Sequence, residues 1–125
     1  MVKVLIVDDE EPILSLLSAI VSSMGGYTIV RARNGQEALK VAKVEMPDIV
    51  LLDNIMPGMN GLEVCRLIKS DPLLAHARIL ILSCQGQNFD WHLARELGAA
   101  GYITKPFDNA VLMDQVKELT KKIKN

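Results

Sequence analysis

Hydrophobic residues in this chain alternate between short continuous runs and longer stretches with helical spacing. Continuous apolar runs occupy residues 4–7, 49–52 and 102–104, and each predicts a buried β-strand. Two further strands are predicted over residues 27–32 and 78–82. The runs are apolar without a polar alternation, which is the pattern expected when helices cover both faces of a parallel sheet.

Apolar residues between these strands recur every three or four positions, which predicts amphipathic helices. The first helix begins near Pro12 and ends at Gly25-Gly26. Asn34 and Glu37 form a capping pair for the second helix, which runs to about Glu45. The apolar positions of the first helix are Ile13, Leu17, Ile20, Val21 and Met24.

Three more helices complete the pattern. The third follows a loop at residues 58–61 and runs to about Lys69, and the fourth covers about residues 89–97. Asp108 caps the last helix, whose inward-facing residues are Leu112, Val116, Leu119 and Ile123. A strand and a helix thus alternate five times. Right-handed crossovers then predict an α/β fold with a doubly wound five-stranded parallel sheet, (βα)5 and flavodoxin-like, and we adopt its usual strand order 2-1-3-4-5.

Length and composition narrow the classes of protein. At 125 residues we expect one domain, spanning residues 1–125. A net charge of −1 gives no general attraction to nucleic acid or to an anionic membrane. No segment reaches the roughly 18 apolar residues of a membrane span, and Cys65 and Cys84 lack a disulfide or metal-binding spacing. We therefore expect a cytoplasmic protein with reduced thiols.

Charged and polar residues stand where the predicted strands end. Asp8 and Asp9 follow the first strand, Asp53 the third, Ser83 the fourth and Lys105 the fifth. Because parallel strands end at one edge of the sheet, these side chains should converge there. Converging carboxylates repel one another unless a cation joins them, and hard oxygen ligands suit Mg²⁺. A lysine ammonium can neutralise a phosphoryl group, so the pattern indicates phosphate chemistry on a carboxylate.

Each of these features alone has a simpler explanation. An aspartate after a strand often caps the following helix, and a Lys-Pro pair is commonly a turn. Their combination on neighbouring strands is what favours a site. His76 and His92 fall away from the predicted edge, so we expect them to be ordinary surface residues.

Four motifs resemble those of the receiver domains of two-component response regulators. The likeness covers the whole chain, and the motifs occur in the same order and at matching spacing. They are Val7-Asp8-Asp9-Glu10, residues 52–61, Leu82-Ser83 and Tyr102-Ile103-Thr104-Lys105-Pro106-Phe107.

The resemblance implies a phosphoacceptor site. Asp53 would accept a phosphoryl group from a histidine kinase or a phosphotransfer protein. Asp8 and Asp9 would hold Mg²⁺, helped by the Asp53 carboxylate and the backbone carbonyl of Ile55. Ser83 would hydrogen-bond the phosphoryl group. Such a domain catalyses its own phosphorylation and a slow dephosphorylation, but it is a regulator rather than an enzyme with a separate substrate.

The resemblance also implies a conformational switch. Lys105 would pair with the phosphoryl group, its bond to Pro106 would be cis, and Tyr102 would change rotamer on activation. The surface formed by the fourth helix, the fifth strand and the fifth helix would then control a downstream protein or a fused output domain. The resemblance allows a phosphorylation-dependent dimer. From the net charge we expect no direct contact of this domain with nucleic acid or membrane.

The chain departs from the common pattern in four places, none of which removes a phosphorylation residue. Ala100-Gly101 replaces an acidic pair that is common before the aromatic residue. Cys84 stands where alanine or glycine is usual. It would either narrow access to Asp53 or be a small buried side chain, and we favour the second. Asn60 replaces a frequent aspartate and is expected to cap the third helix. Trp91 is expected to point away from the face formed by Ala94 and Leu97, which makes it a candidate contact for a partner.

Other functions remain to be weighed against this one. A phosphohydrolase with an aspartyl-phosphate intermediate would carry a second aspartate two residues after the nucleophile, where Ile55 stands. A flavodoxin-like FMN-binding protein would need a loop rich in Ser, Thr or Gly after the first strand, where this chain is acidic. A receiver-like interaction module that works without phosphorylation stays open.

Overall fold

The computed structural model describes residues 1–84 and 89–124, so residues 85–88 and 125 of the predicted domain lie outside the described residues. All strand pairs are parallel and form one sheet in the order β2-β1-β3-β4-β5, which confirms the adopted order. The strands are β1 (Val2–Val7), β2 (Tyr27–Ala32), β3 (Ile49–Asp53), β4 (Arg78–Cys84) and β5 (Gly101–Lys105). The helices are α1 (Glu11–Met24), α2 (Gly35–Glu45), α3 (Gly61–Ser70), α4 (Trp91–Glu96) and α5 (Asn109–Lys124).

Two hydrophobic clusters cover the two faces of the sheet, as the continuous apolar strands predicted. On one face, residues of α1 and α5 pack on the central strands, with Leu14, Leu17, Leu112 and Val116 all buried. On the other face, α2, α3 and α4 supply buried residues that include Ala38, Val64, Ile68 and Ala94. Within the described ranges, no helix combines the length and hydropathy that a membrane span requires.

Side-chain caps begin the helices at the predicted residues. The Asn34 side chain accepts a hydrogen bond of 2.8 Å from the backbone N–H of Glu37, which starts α2. Asn60 accepts one of 2.9 Å from Glu63 and starts α3, as expected from its position. Asp108 accepts one of 2.8 Å from the N–H of Ala110 ahead of α5. These contacts satisfy backbone donors that have no partner inside the helix.

Strand β1 begins at Val2 rather than at residue 4, and β4 ends at Cys84 rather than at residue 82. The start of α4 and the burial of β5 also differ from the sequence prediction. Helix α4 begins at Trp91 rather than at residue 89, because the Asp90 side chain accepts the N–H of Leu93 and so caps the helix later. Strand β5 was expected to be buried throughout, yet only Ile103 is buried and Tyr102 is 43% exposed. The reason is that β5 is an edge strand, so one of its sides has no neighbouring strand.

Candidate functional site

One ammonium group joins two buried carboxylates at the C-terminal edge of the sheet. Asp8 follows β1 and is fully buried, and Asp53 ends β3 and is 5% exposed. The Nζ atom of Lys105, at the end of β5, lies 3.0 Å from Asp8 Oδ2 and 3.0 Å from Asp53 Oδ1. The structure therefore brings together three of the predicted residues, although Lys105 contacts both carboxylates here.

The turn between β1 and α1 fixes the carboxylate of Asp8. Its Oδ1 atom accepts a hydrogen bond of 3.0 Å from the backbone N–H of Glu10. The backbone N–H of Asp8 donates to the carbonyl oxygen of Ala32, so the residue stays aligned with β2 beyond the end of β1. Both carboxylate oxygens of Asp8 thus have a donor, one from the backbone and one from Lys105.

Close backbone packing fixes Asp53. The N–H of the next residue, Asn54, donates to the carbonyl oxygen of Leu82 in β4, with a distance of 2.9 Å. Helix α3 starts directly against this bend, because a Cβ atom at Gly61 would lie only 2.8 Å from the carbonyl oxygen of Asp53. A side chain at residue 61 would therefore push the helix away from the site.

Burial and the charge of the partner act in opposite directions on the pKa values of Asp53 and Lys105. Burial raises the pKa of Asp53 above its ordinary value, the charges of Asp8 and Asp9 add to this rise, and the ammonium of Lys105 partly offsets it. Burial alone would lower the pKa of Lys105, but its contacts with Asp53 and Asp8 outweigh that effect and raise the pKa. The buried carboxylates outnumber the cation that joins them, so the site has room for further positive charge.

Within the described residues, a group suited to a metal ion is formed by Asp8, Asp9 and Glu10, whose carboxylate oxygens lie within 4.8 Å of one another. Asp8 is buried, while Asp9 and Glu10 are exposed. Three hard oxygen donors at the rim of a buried acidic site fit Mg²⁺. Asp53 is not one of these three, and Glu10 received no role from the sequence. The sequence signal for such a role was the position of Glu10 directly after Asp8 and Asp9.

The remaining predicted site residues lie at or just beyond the C-terminal ends of the strands. Ser83 is 3% exposed and pairs in register with Thr104 of β5, one residue before Lys105. Ile55 lies in the loop after β3 with a side chain that is 59% exposed. The Lys105–Pro106 bond is cis, which confirms the predicted isomer. His76 and His92 are both exposed, as expected of surface residues.

The expectation that Cys84 is buried was wrong. Cys84 is exposed and lines a cavity of about 600 Å³ together with Lys105 and residues of α1 and the β5–α5 turn. It is the last residue of β4, where the strand has already reached the open edge of the sheet. Cys65, by contrast, is buried in α3, and burial raises the pKa of its thiol to about 11.

The expected orientation of Trp91 was also wrong. Trp91 is half-buried and packs against the same cluster as Ala94, because residues three apart share one face of a helix. Its ring lies 5.0 Å, between centroids, from the ring of Tyr102. This contact depends on how α4 lies against β5, which spacing along the chain does not reveal.

Comparison with known proteins identifies the same family that the sequence motifs resemble. The family model described as "Response regulator receiver domain" matches residues 4–117. The chain is 39% identical over 120 residues to the alkaline phosphatase synthesis transcriptional regulatory protein PhoP of Bacillus subtilis. The aligned residues cover 96% of this chain and 49% of PhoP. The chain spans between 26% and 52% of the length of such curated relatives.

Solved structures show the same fold. The signal receiver domain of a signal transduction histidine kinase from Syntrophus aciditrophicus superposes with a TM-score of 0.91 at 32% identity, covering 100% of this chain and 94% of that one. The chemotaxis protein CheY4 of Vibrio cholerae superposes with a TM-score of 0.87 at 28% identity, covering 95% of this chain and 98% of that one.

Proposed function

The chain belongs to the receiver domains of response regulators, and from that premise we propose that residues 1–125 form one domain that accepts a phosphoryl group on Asp53. The observation that supports this most is the buried Asp53 carboxylate, which lies at the C-terminal edge of the sheet and is held by Lys105 beside Asp8. Ligands of open α/β sheets bind at this edge.

Asp53 acts as the nucleophile in this proposal. One of its carboxylate oxygens forms a bond to phosphorus while the bond from phosphorus to the donor breaks. The leaving group, an imidazole or a carboxylate, keeps the electron pair of the broken bond. Burial raises the pKa of Asp53 and so makes its anion more basic, which favours attack. A phosphoryl transfer of this kind otherwise needs positioning and charge stabilisation.

Asp8 and Asp9 would hold Mg²⁺ in this proposal, together with the Asp53 carboxylate and the backbone carbonyl of Ile55. Glu10 adds a carboxylate within 4.8 Å of both acidic neighbours. When bound, the ion supplies positive charge to the oxygens of the phosphoryl group. Asp8 is buried and each of its carboxylate oxygens accepts a hydrogen bond, so its orientation is fixed before the ion binds.

Lys105 and Ser83 respond to the new charge. Lys105 bridges two carboxylates in the resting protein, and a phosphoryl group on Asp53 offers its ammonium a more highly charged partner. Ser83 donates a hydrogen bond to the phosphoryl group from the adjacent strand. Because Ser83 and Thr104 pair in register, a shift at Ser83 passes directly to β5. The surface formed by α4, β5 and α5 then changes its arrangement.

The partners follow from the same proposal. A histidine kinase or a phosphotransfer protein supplies the phosphoryl group, and the surface formed by α4, β5 and α5 controls a downstream protein, a fused output domain or a second copy of the chain. PhoP, which the chain resembles over about half of PhoP's length, is described as a transcriptional regulatory protein. An output of that type would lie in a further domain, since this one has a net charge of −1.

Intact-mass measurement after treatment with acetyl phosphate and Mg²⁺ tests the proposal. The wild type should gain the mass of one phosphoryl group, and Asp53→Asn should gain none. Asp48→Asn is a matched control, because Asp48 precedes β3 at its opposite end. An equal gain in Asp53→Asn would refute the assignment. No gain in any of the three proteins would favour an interaction module that works without phosphorylation.

A further inference from the structure

The ring of Tyr102 is flanked by two aromatic rings. The ring centroids of Phe89 and Tyr102 lie 5.4 Å apart, with an angle of 42° between the ring planes. Those of Trp91 and Tyr102 lie 5.0 Å apart, with an angle of 40°. Offset and tilted pairs at such distances are the favourable arrangements of aromatic rings. Tyr102 is nevertheless 43% exposed, so its position is held by these contacts rather than by deep burial.

The two flanking rings are themselves anchored. Phe89 and Trp91 are both half-buried and pack against the cluster formed by α2, α3 and α4. Ala94, three residues after Trp91, is fully buried and fixes this side of α4 to the sheet. The two rings are therefore anchored to the core and provide the surface against which the exposed ring of Tyr102 packs.

Tyr102 lies on the side of the sheet that carries Ser83. It pairs in register with Ile81, which belongs to the cluster on that face, and Ser83 follows two residues later with the same side-chain direction. The residues that retain Tyr102 thus lie on the same face as one of the residues proposed to bind the phosphoryl group.

We propose that Phe89 and Trp91 are positioning residues that hold Tyr102 in its exposed orientation and thereby set the resting equilibrium of the surface formed by α4, β5 and α5. The inference rests on the proposed function, because it concerns how that switch is poised. A contact present only in the resting arrangement disfavours the activated one, and it also weakens every ligand that prefers the activated arrangement. Removing the contact must then strengthen phosphoryl-analogue binding, although neither ring touches that site.

Fluorine NMR gives the direct structural test, because it needs no ligand. The chain has two tyrosines, so 3-fluorotyrosine labelling yields two resonances. Tyr27 serves as an internal reference, since its hydroxyl bonds Thr120 on α5. Trp91→Leu should shift the resonance of Tyr102 and leave that of Tyr27 unchanged. Leu93→Ala, an exposed change in the same helix, should move neither. An unshifted Tyr102 resonance in Trp91→Leu would overturn the contact.

Titration with beryllofluoride and Mg²⁺ tests the effect on the switch. Loss of one aromatic pair should tighten binding about 3- to 10-fold in Trp91→Leu, and by a similar factor in Phe89→Leu. The tightening should disappear when the same changes are made in Tyr102→Leu, because the ring that they hold is gone. Tightening that persists in that background would overturn the proposal, since a merely structural change would act without Tyr102.

The outcomes separate this inference from the proposed function. If the wild type binds beryllofluoride and Asp53→Asn does not, but Trp91→Leu and Phe89→Leu bind as tightly as the wild type, then the site is right and the positioning role is wrong. If the wild type does not bind beryllofluoride, the proposed function fails. Urea unfolding of each variant verifies that the titrated proteins are folded.

Discussion

At the N-terminal edge of the sheet, one Asp48 carboxylate oxygen accepts a backbone N–H from Lys3 at 2.9 Å, and the Lys3 ammonium pairs with Glu45 at 2.9 Å. At the C-terminal edge, two carboxylates share the single ammonium of Lys105. The Lys3 and Glu45 side chains are 31% and 37% exposed, whereas those of Asp8 and Asp53 are 0% and 7% exposed.

The two edges of the sheet therefore contain similar charged groups that differ in burial and in the balance of charge. At the N-terminal edge the charges of Lys3, Glu45 and Asp48 each have a hydrogen-bond partner and remain partly exposed to water. At the C-terminal edge negative charge is buried in excess of the cation that joins it. Such an arrangement costs stability and is retained where a ligand completes it. This imbalance, rather than the mere presence of carboxylates, distinguishes the edge where we propose the phosphoacceptor site.

Removing the lysine at each edge should give the largest difference. Lys105→Met leaves two buried carboxylates without their cation and should lower the free energy of unfolding by about 3 kcal/mol. Lys3→Met breaks a half-exposed pair and should cost less than about 1 kcal/mol. Urea unfolding with a chelator present measures both. Equal losses at the two edges would mean that the shared ammonium is not the main compensation for Asp8 and Asp53.

The thiols should show a comparable contrast in reactivity. Cys84 is exposed at the C-terminal edge, while Cys65 is buried in α3 with a pKa of about 11. Because the thiolate is the reactive form and Cys65 is also shielded from reagent, iodoacetamide near pH 8 should label Cys84 more than about 10-fold faster than Cys65. Peptide mapping over time measures the two rates. Labelling of both thiols at similar rates in folded protein would contradict the burial of Cys65.

The smallest contrast concerns the same chemical change at the two edges. Asp48→Asn weakens a charge-assisted hydrogen bond and should lower the free energy of unfolding by about 1 kcal/mol. Asp9→Asn relieves repulsion within the group formed with Asp8 and Glu10, so the metal-free melting temperature should stay the same or rise. Thermal melts without metal and with Mg²⁺ provide the measurement.

Magnesium sharpens this last test. The wild type should gain melting temperature when Mg²⁺ is added, and Asp9→Asn should gain less or nothing. Asp48→Asn should respond to Mg²⁺ as the wild type does, because it lies at the other edge. A clearly lower metal-free melting temperature for Asp9→Asn would show that the acidic group is not self-repulsive.

Much of this fold could be predicted from local sequence patterns. Short, largely apolar runs predicted the five strands, and caps such as Asn34 and Asn60 fixed helix starts through contacts within three residues. The convergence of Asp8, Asp53 and Lys105 followed from parallel strands ending at one edge. The bridging of both carboxylates by one ammonium did not follow, because it depends on distances across β1, β3 and β5 that spacing cannot supply.

Tertiary placement explains the predictions that were wrong. Cys84 was expected to be buried because cysteine often is, but it ends β4 beside an open cavity. Trp91 was expected to face away from the core, and its contact with Tyr102 joins residues of different elements. Glu10 is a candidate metal ligand because the turn after β1 brings its carboxylate within 4.8 Å of those of Asp8 and Asp9.

The most direct test identifies the residue that carries the phosphoryl group. Borohydride reduces an aspartyl phosphate to the corresponding alcohol, and mass spectrometry of peptides from protein phosphorylated with acetyl phosphate and Mg²⁺ then locates it. Our account predicts reduction at Asp53 alone, with Asp8 and Asp9 intact and Asp48 intact at the opposite edge. Reduction at one of those three aspartates while Asp53 stays intact would contradict it.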